Sequence, residues 1–210
     1  MEPARYRPGA LLPSPVVTRI LVVRHGQSEW NADGRWQGQE NPPLTELGQQ
    51  QAVHAAQAVG AVDAVYASPL DRAATTAHLI AEMLGIGPVV LLGGLMERHA
   101  GEWQGLTRDQ IDRAFPGYLE AGQRPPGWED DDLVEARVMD ALDSIAAEHP
   151  DGHVLAVAHA GVIFAIERQL GAAWERLANL SGRWLQRTEG GWHIGERVHL
   201  LVDETIPDQI

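Results

Sequence analysis

Basic side chains follow several short apolar runs of this sequence, at the points where buried strands are expected to end. Ligands bind beyond the carboxyl ends of the strands in open α/β sheets, so such side chains converge on one site. An arginine presents a fork of donors that matches phosphate oxygens, and a neutral imidazole can attack phosphorus. The pattern therefore predicts a site for phosphate chemistry. Its members are Arg24 and His25 after the run 20–23, Ser68 and Arg72 after the run 64–67, and His159 after the run 154–158.

Each of these residues has an ordinary structural explanation when it is taken alone. A histidine at a strand end is often a hydrogen-bonded structural residue. An arginine such as Arg72 on a helix is most often solvated or paired with an acid, and an acid such as Glu97 in a loop usually lies on the surface. Only the set as a whole favours a functional site.

The composition restricts the classes of protein that fit. The chain has 210 residues, of which 44% are hydrophobic and 21% charged, as in a soluble globular protein. It contains no cysteine, which excludes thiolate metal sites and a cysteine nucleophile and favours a cytoplasmic location. The net charge of −13 disfavours binding to nucleic acid or to an anionic membrane, and no apolar run is long enough for a membrane helix.

The organisation along the chain predicts one domain. Residues 1–17 hold four prolines and no long apolar stretch, which is typical of a flexible N-terminal tail. Residues 18–205 show no interior linker and no repeat, and we expect them to form a single domain. A homodimer is left open as the assembly.

Strand and helix patterns alternate along this domain and predict an α/β sandwich with a largely parallel sheet. Thr45 is the expected N-cap of one helix, and Pro69 is the expected first residue of another. The predicted strands are 20–23, 64–67, 89–92, 154–158, 182–187 and 192–201. The predicted helices are 45–59, 68–84, 107–114, 133–148 and 160–170, with 117–128 as a loop.

The segment 21–31, Leu-Val-Val-Arg-His-Gly-Gln-Ser-Glu-Trp-Asn, closely resembles the signature of the histidine phosphatase superfamily, in its phosphoglycerate-mutase-like branch. Further segments are similar to the family's other motifs and follow in the family's order, which makes the resemblance very specific. They are 34–38, 43–48, 67–77, 95–99 with 101–106, and 158–161. The resemblance implies a three-layer sandwich with helices on both faces of a mostly parallel central sheet.

The resemblance also implies a reaction without metal or cofactor. His25 would be the nucleophile that becomes phosphorylated, and Glu97 would be the general acid and then the base that activates water. Arg24, Arg72 and His159 would surround the phosphoryl oxygens and stabilise the transition state. The other implied phosphate- or substrate-binding residues are Asn31, Gln37, Gly38, Ala160 and Ser28, the last with a structural hydrogen bond as an equal alternative.

The family supports both hydrolysis and mutase chemistry, so the loops have to separate them. The mutases carry a longer insertion with paired arginines, whereas Arg113 and Arg124 stand isolated in the segment 109–128. Ala100 occupies the position of a mutase tyrosine. These differences favour a broad-specificity phosphatase that acts on a small phosphorylated metabolite. A cofactor-dependent phosphoglycerate mutase is the alternative. A non-catalytic phosphate-binding module is disfavoured, because every residue that the reaction needs is present.

Other features have two explanations each. The acidic run 130–132 could face the substrate, but acidic residues at a helix N-terminus are favoured by the helix dipole anyway. The remaining histidines show no metal-binding spacing with nearby acids. Four tryptophans could line the site for an organic leaving group or could pack in the core: Trp30, Trp36, Trp103 and Trp128.

Overall fold

The computed structural model describes residues 17–201. All but one residue of the predicted tail 1–17 lie outside this range. The predicted end of the domain at residue 205 lies outside it as well. Within residues 17–201, no helix is both long enough and apolar enough to cross a bilayer.

A six-stranded sheet with strand order β3-β2-β4-β1-β5-β6 forms the centre of the fold. Strands β1 to β4 pair in parallel, and β5 runs antiparallel to both β1 and β6. The prediction of a mostly parallel sheet is therefore confirmed. The strands are β1 Thr18–Arg24, β2 Ala64–Ala67, β3 Val90–Leu91, β4 His153–Ala158, β5 Ser181–Thr188 and β6 Gly191–His199.

Helices cover both faces of this sheet. They are α1 Glu29–Ala32, α2 Glu46–Val59, α3 Asp71–Leu84, α4 Arg108–Ala114, α5 Asp131–Glu148 and α6 Ala160–Gln169, with 3-10 turns at Gly93–Leu95 and Gly101–Trp103. Successive residues of a strand point to opposite faces, and β1 divides accordingly. Ile20 and Val22 pack into a core with α5 and α6, whereas Leu21 and Val23 pack into a second core with α2 and α3. The expected three-layer sandwich is confirmed.

Several predicted boundaries are wrong for local reasons. Helix α3 begins at Asp71 with Leu70 as N-cap, so Pro69 lies before the helix. The hydroxyl of Ser68 accepts the N–H of Leu70, which holds this connection in a turn. The strand predicted for 89–92 shortens to Val90–Leu91, because it is the exposed edge of the sheet. By contrast, Thr45 caps α2 as predicted, and its side chain accepts the N–H of Gly48.

A buried carboxylate joins α6 to the antiparallel hairpin. Glu167 is 2% exposed and accepts hydrogen bonds from Arg183 Nε at 3.0 Å and from Arg197 Nη2 at 2.6 Å. Arg197 also donates to the backbone oxygens of Glu175 and Arg176. One acid thus fixes β5, β6 and the segment after α6 together. That segment supplies part of the cavity described below.

We expect Glu167→Gln to lower the free energy of unfolding by roughly 3 kcal/mol, because it leaves partly buried arginines without their carboxylate. Urea denaturation of the two proteins measures this difference. The matched control is Glu175→Gln. Glu175 is exposed, and its carboxylate lies 3.8 Å from Nη1 of Arg197, which also binds Glu167. The control should cost less than about 1 kcal/mol. Equal losses of unfolding free energy in both variants would contradict a larger contribution from the buried Glu167.

Candidate active site

The predicted site residues meet at the carboxyl ends of three parallel strands. Arg24 ends β1 and His25 follows it, Ser68 follows β2, and His159 follows β4. A cavity of about 690 Å³ opens at this edge of the sheet, and its lining includes Arg24, His25 and Glu97. The structure therefore brings together residues that are up to 135 positions apart in sequence.

The ring of His25 is buried and held in one orientation. Its Nδ1 lies 2.6 Å from the carbonyl oxygen of Gly26, which can only accept, so Nδ1 carries the proton. Nε2 is therefore unprotonated, and its lone pair accepts a hydrogen bond from Arg72 Nε at 3.2 Å. Burial, followed by the charges of Arg72 and Arg24, holds the pKa of His25 well below the normal 6.5. The imidazole is therefore neutral and has its nucleophilic nitrogen available.

Two buried arginines are held by carbonyl oxygens. Arg24 Nη1 donates to the carbonyl of Leu177 at 2.9 Å, and Arg72 donates to the carbonyls of Gly38 and Glu40, both at 2.8 Å. Burial lowers the pKa of each guanidinium to about 10, so both remain charged at neutral pH. Arg24 Nε is buried and has no hydrogen-bond partner within the described residues. The two side chains create a positive site that keeps unused donors.

His159 lies beside His25, with 5.2 Å between the ring centroids. Its Nε2 is 2.8 Å from the hydroxyl of Ser68. That hydroxyl accepts the N–H of Leu70, so its own hydrogen is free to donate to Nε2. The contact is compatible with either tautomer, and Nδ1 of His159 is buried with no hydrogen-bond partner among residues 17–201. Burial, followed by the charge of Arg72, holds the pKa of His159 well below normal. Ser68 thus orients the ring rather than facing a ligand.

The carboxyl group of Glu97 is fixed at the edge of the cavity by backbone N–H groups. Oε1 accepts the N–H of Arg98 at 2.7 Å, and Oε2 accepts the N–H of Gly161 at 3.2 Å. A Cβ on residue 161 would overlap Oε1 of Glu97, so only glycine allows this approach. The predicted acid and the segment after the second histidine therefore meet.

Two neutral side chains from the loop after β1 present amide groups to the cavity. The oxygen of Asn31 accepts the backbone N–H of Ser28 at 3.2 Å and a side-chain N–H of Asn179 at 3.3 Å. The oxygen of Gln37 accepts the hydroxyl of Ser28 at 2.7 Å. Both side chains line the cavity. Because their oxygens are occupied, their NH₂ groups are the ends that remain for a ligand.

The other predicted binding residues differ in their placement. Gly38 and Ala160 line the cavity, as predicted for contacts with substrate. Ser28 is buried, is absent from the cavity lining and caps α1 with its hydroxyl. A direct phosphate contact for Ser28 stays a prediction. The structure supports its structural alternative, because the cap and the bond to Gln37 already use the hydroxyl.

The tryptophans divide between the two explanations. Trp30, Trp36 and Trp128 line the cavity, whereas Trp103 is fully buried. Trp103 packs edge-on against Trp36 and Trp128 at centroid distances of 5.3 and 5.6 Å. One core tryptophan thus supports two that face the cavity. From the acidic run 130–132, Asp131 lines the cavity while it pairs with Arg98 and Arg168.

Sequence analysis missed several residues of the site. Asn179 is buried and donates to the carbonyl of His25 at 2.9 Å, which fixes the backbone of the predicted nucleophile. Trp174 lines the outer cavity, is 70% exposed and rests on Phe164 at a centroid distance of 5.9 Å. No motif surrounds these positions, so no sequence signal was available for them. Within the described residues, no three histidine, aspartate or glutamate side chains are grouped to hold a metal ion.

These features define a class of protein. Arg24, the neutral His25 and the carboxyl group of Glu97 line one cavity. The buried side chains of Arg72 and His159 are not part of that lining and lie against His25. Such a set at the carboxyl ends of parallel strands is typical of a phosphate-transfer enzyme.

Comparison with known proteins identifies the family. The profile of the histidine phosphatase superfamily (branch 1) matches residues 20–198, and the chain belongs to this superfamily. A metal-independent phosphoserine phosphatase of Arabidopsis thaliana is 39% identical over 160 residues, which cover 71% of this chain and 67% of that protein. A glucosyl-3-phosphoglycerate phosphatase of Mycobacterium tuberculosis is 34% identical over 196 residues, which cover 84% and 87%. The solved native structure of the mycobacterial glucosyl-3-phosphoglycerate phosphatase superposes with a TM-score of 0.76 at 32% identity, covering 85% and 97%.

We expect the two neutral histidines to make the protein less stable in acid. Burial, and then the charges of nearby arginines, lower the pKa of both rings. A histidine in an unfolded chain has a pKa of ~6.5. Below that pH the unfolded state binds protons that the folded state does not, so stability falls as pH falls. The free energy of unfolding should decrease from about pH 6.5 downward by roughly 1.4 kcal/mol per pH unit for each such histidine.

Urea denaturation between pH 7.5 and 5 measures this slope. His159→Asn should reduce it by about half, because one of the two rings is gone. His54→Gln on the exposed side of α2 is the matched control and should leave the slope unchanged. A wild-type protein whose stability rises on acidification through this range would contradict the assignment of neutral rings.

Proposed function

We propose that this histidine phosphatase hydrolyses phosphomonoesters of small metabolites through a covalent phosphohistidine on His25. The observation that carries the proposal is the fixed tautomer of His25. Its Nδ1–H is bound to the carbonyl of Gly26, which leaves Nε2 as the unprotonated nitrogen. Nε2 accepts a hydrogen bond from Arg72, and the residue lines the cavity. The proposal involves no metal ion and no cofactor.

In the first step the phosphate group binds among Arg24, Arg72 and His159. Arg72 Nε, which donates to His25 Nε2 in the unliganded site, turns its hydrogen bond to a phosphoryl oxygen. Nε2 then forms a bond to phosphorus, and the bond from phosphorus to the ester oxygen breaks. The carboxyl group of Glu97 gives its proton to the departing oxygen. The fixed donors stabilise the charge that develops on the phosphoryl oxygens.

In the second step a water molecule attacks the phosphohistidine. The carboxylate of Glu97, which has just lost its proton, accepts a proton from this water. The bond between phosphorus and Nε2 breaks, and inorganic phosphate leaves with His25 neutral again. The two backbone N–H groups that bind Glu97 hold the same carboxyl group in place for both steps.

The relatives and the walls of the cavity support a small organic leaving group. One relative is named for phosphoserine and another for glucosyl-3-phosphoglycerate, so both compounds are candidate substrates for this chain. Trp30, Trp36 and Trp128 supply apolar surface in the cavity, and Phe164 and Trp174 supply more. Pockets for small molecules typically combine such surfaces with a few polar groups.

Hydrolysis is favoured over mutase chemistry by the cover of the site. A mutase has to keep its phosphorylated histidine away from water between two transfers. Here the segment between α4 and α5 contains no helix and no strand, and its Arg124 is exposed, with the guanidinium 4.7 Å from the ring centre of Trp128. A solved phosphoglycerate mutase from Bacillus anthracis has a TM-score of 0.75 at 23% identity, which bears on the fold alone.

We expect ³²P from a labelled phosphomonoester to be trapped on His25 by rapid denaturation, as an acid-labile and base-stable adduct. His25→Ala should lose the adduct and lower kcat by at least ~10³-fold, because the nucleophile is absent. His78→Ala, an exposed histidine of α3, is the control and should keep both. EDTA should change neither. Absence of label from His25 during turnover, or isomerisation of 3-phosphoglycerate that outpaces phosphate release, would overturn the proposal.

We expect Glu97→Gln to slow alkyl phosphates much more than aryl phosphates. An alkoxide leaves poorly without a proton, so the loss of kcat/KM should be on the order of 10²- to 10⁴-fold. A nitrophenolate leaves without help, and its loss should be about tenfold or less. Steady-state assays with 4-nitrophenyl phosphate and phosphoserine give the two values. Equal losses on both substrates would remove Glu97 from the role of general acid.

A further inference from the structure

Arg137 on α5 binds the backbone of the segment that carries Glu97. Its Nη1 donates to the carbonyls of Gly94 at 2.9 Å and Met96 at 2.6 Å, and its Nη2 donates to the carbonyl of Glu97 at 3.1 Å. The side chain is 22% exposed and is not part of the cavity lining. One guanidinium thus contacts three carbonyls within four consecutive residues.

Glu129 holds this guanidinium in place from the loop before α5. Its two carboxylate oxygens accept Arg137 Nε at 2.7 Å and Nη2 at 3.0 Å, in a bidentate pair. The hydrogen bonds from Arg137 and from the backbone of His99 outweigh burial and lower the pKa of Glu129 below its usual value. All five N–H donors that a guanidinium has are therefore used.

Glu129 also binds the far end of the same segment. Its carboxylate accepts the N–H of His99 at 3.0 Å, and its carbonyl accepts Arg98 Nη1 at 2.8 Å. The pair of Arg137 and Glu129 thus fixes the backbone on both sides of Glu97. An isolated surface ion pair contributes little to stability, but this pair is directed at one short segment of backbone.

The near end of the segment packs directly on α5. A Cβ on Gly94 would lie 2.7 Å from the Cβ of Ala141 and 2.7 Å from the carbonyl oxygen of Arg137. The absence of a side chain at Gly94 brings the backbone close enough for Arg137 to reach three of the four carbonyls of 94–97. Because α5 is an 18-residue helix packed in the core, it provides a rigid support for the acid.

We propose that Arg137, held by Glu129, is a positioning residue that fixes the carboxyl group of Glu97 for proton transfer in both steps of the reaction. This inference rests on the proposed function, because it assigns a task to the acid of that mechanism. Arg137 does not touch the substrate and acts through the backbone of 94–97. A catalytic group displaced by about 1 Å can lose on the order of 10²-fold in rate, which sets the size of the effect.

The test compares Arg137→Met with the wild type on phosphoserine and on 4-nitrophenyl phosphate. We expect kcat/KM, which reports the formation of phosphohistidine, to fall on the order of 10²-fold for the alkyl ester and less than about fivefold for the aryl ester. KM should change little, since the phosphate donors are untouched. Arg137→Lys, which restores the charge and part of the hydrogen bonding, should recover part of the alkyl activity.

The double variant Arg137→Met with Glu97→Gln separates positioning from a general structural role. If Arg137 acts through Glu97, the double variant should be no slower on phosphoserine than Glu97→Gln alone. Arg187→Met is the matched control, because Arg187 also pairs with an acid of α5, Asp143, at 3.1 Å. Arg187→Met should leave unchanged the ratio of kcat/KM for phosphoserine to kcat/KM for 4-nitrophenyl phosphate.

Two results would overturn the inference. One is an equal loss of kcat/KM on alkyl and aryl substrates in Arg137→Met, and the other is a double variant in which the two losses of kcat/KM on phosphoserine multiply. Failure of the proposed function is a different result and is visible in the wild type, as turnover without label on His25. The labelled wild-type enzyme is therefore measured first in the same series.

Discussion

The positive charge of the phosphate site depends on two buried arginines that bind carbonyl oxygens instead of carboxylates. The carbonyls of Leu177, Gly38 and Glu40 orient Arg24 and Arg72, but they cancel none of the charge. Burial of an unpaired charge is costly, and folding has to supply the free energy. The two neighbouring histidines remain neutral under this field. An anion that enters the cavity relieves the excess charge, so the two arginines favour the binding of a phosphate group.

The same arrangement explains what could be predicted from the sequence. Apolar runs such as Ile20 to Val23 identify the central strands, and the polar residues that follow them identify the edge of the sheet where the site lies. The order of motifs matched one family, which supplied a role for each side chain. Both levels depend on residue type, and residue type is what a sequence displays. The fold class and the convergence of distant segments were therefore accessible.

Most of the contacts that could not be predicted involve backbone groups. The partners of the arginines and of His25 are carbonyl oxygens, which every residue carries, so their positions depend on the fold alone. Asn179 and Arg137 were missed because they act through such groups. The two explanations of Ser28 could not be separated for a related reason, since a hydroxyl that binds phosphate and one that caps a helix can have the same local sequence. Helix α3 begins later than predicted because Ser68 lies in a turn. There its hydroxyl accepts the N–H of Leu70 and also contacts Nε2 of His159.

The position of β1 in the sheet has a consequence for how the chain is made. Both neighbours of β1 come from the last third of the described chain: Arg19 lies beside His153 of β4 and beside Gln186 of β5. At a synthesis rate of ~5–20 residues per second, the Ile-Leu-Val-Val run waits on the order of ten seconds for its first partner. During that interval the nascent chain exposes an apolar segment of high β-propensity with both edges unpaired. Chains whose synthesis stops before β4 keep that segment exposed, which makes them targets for aggregation and for chaperones.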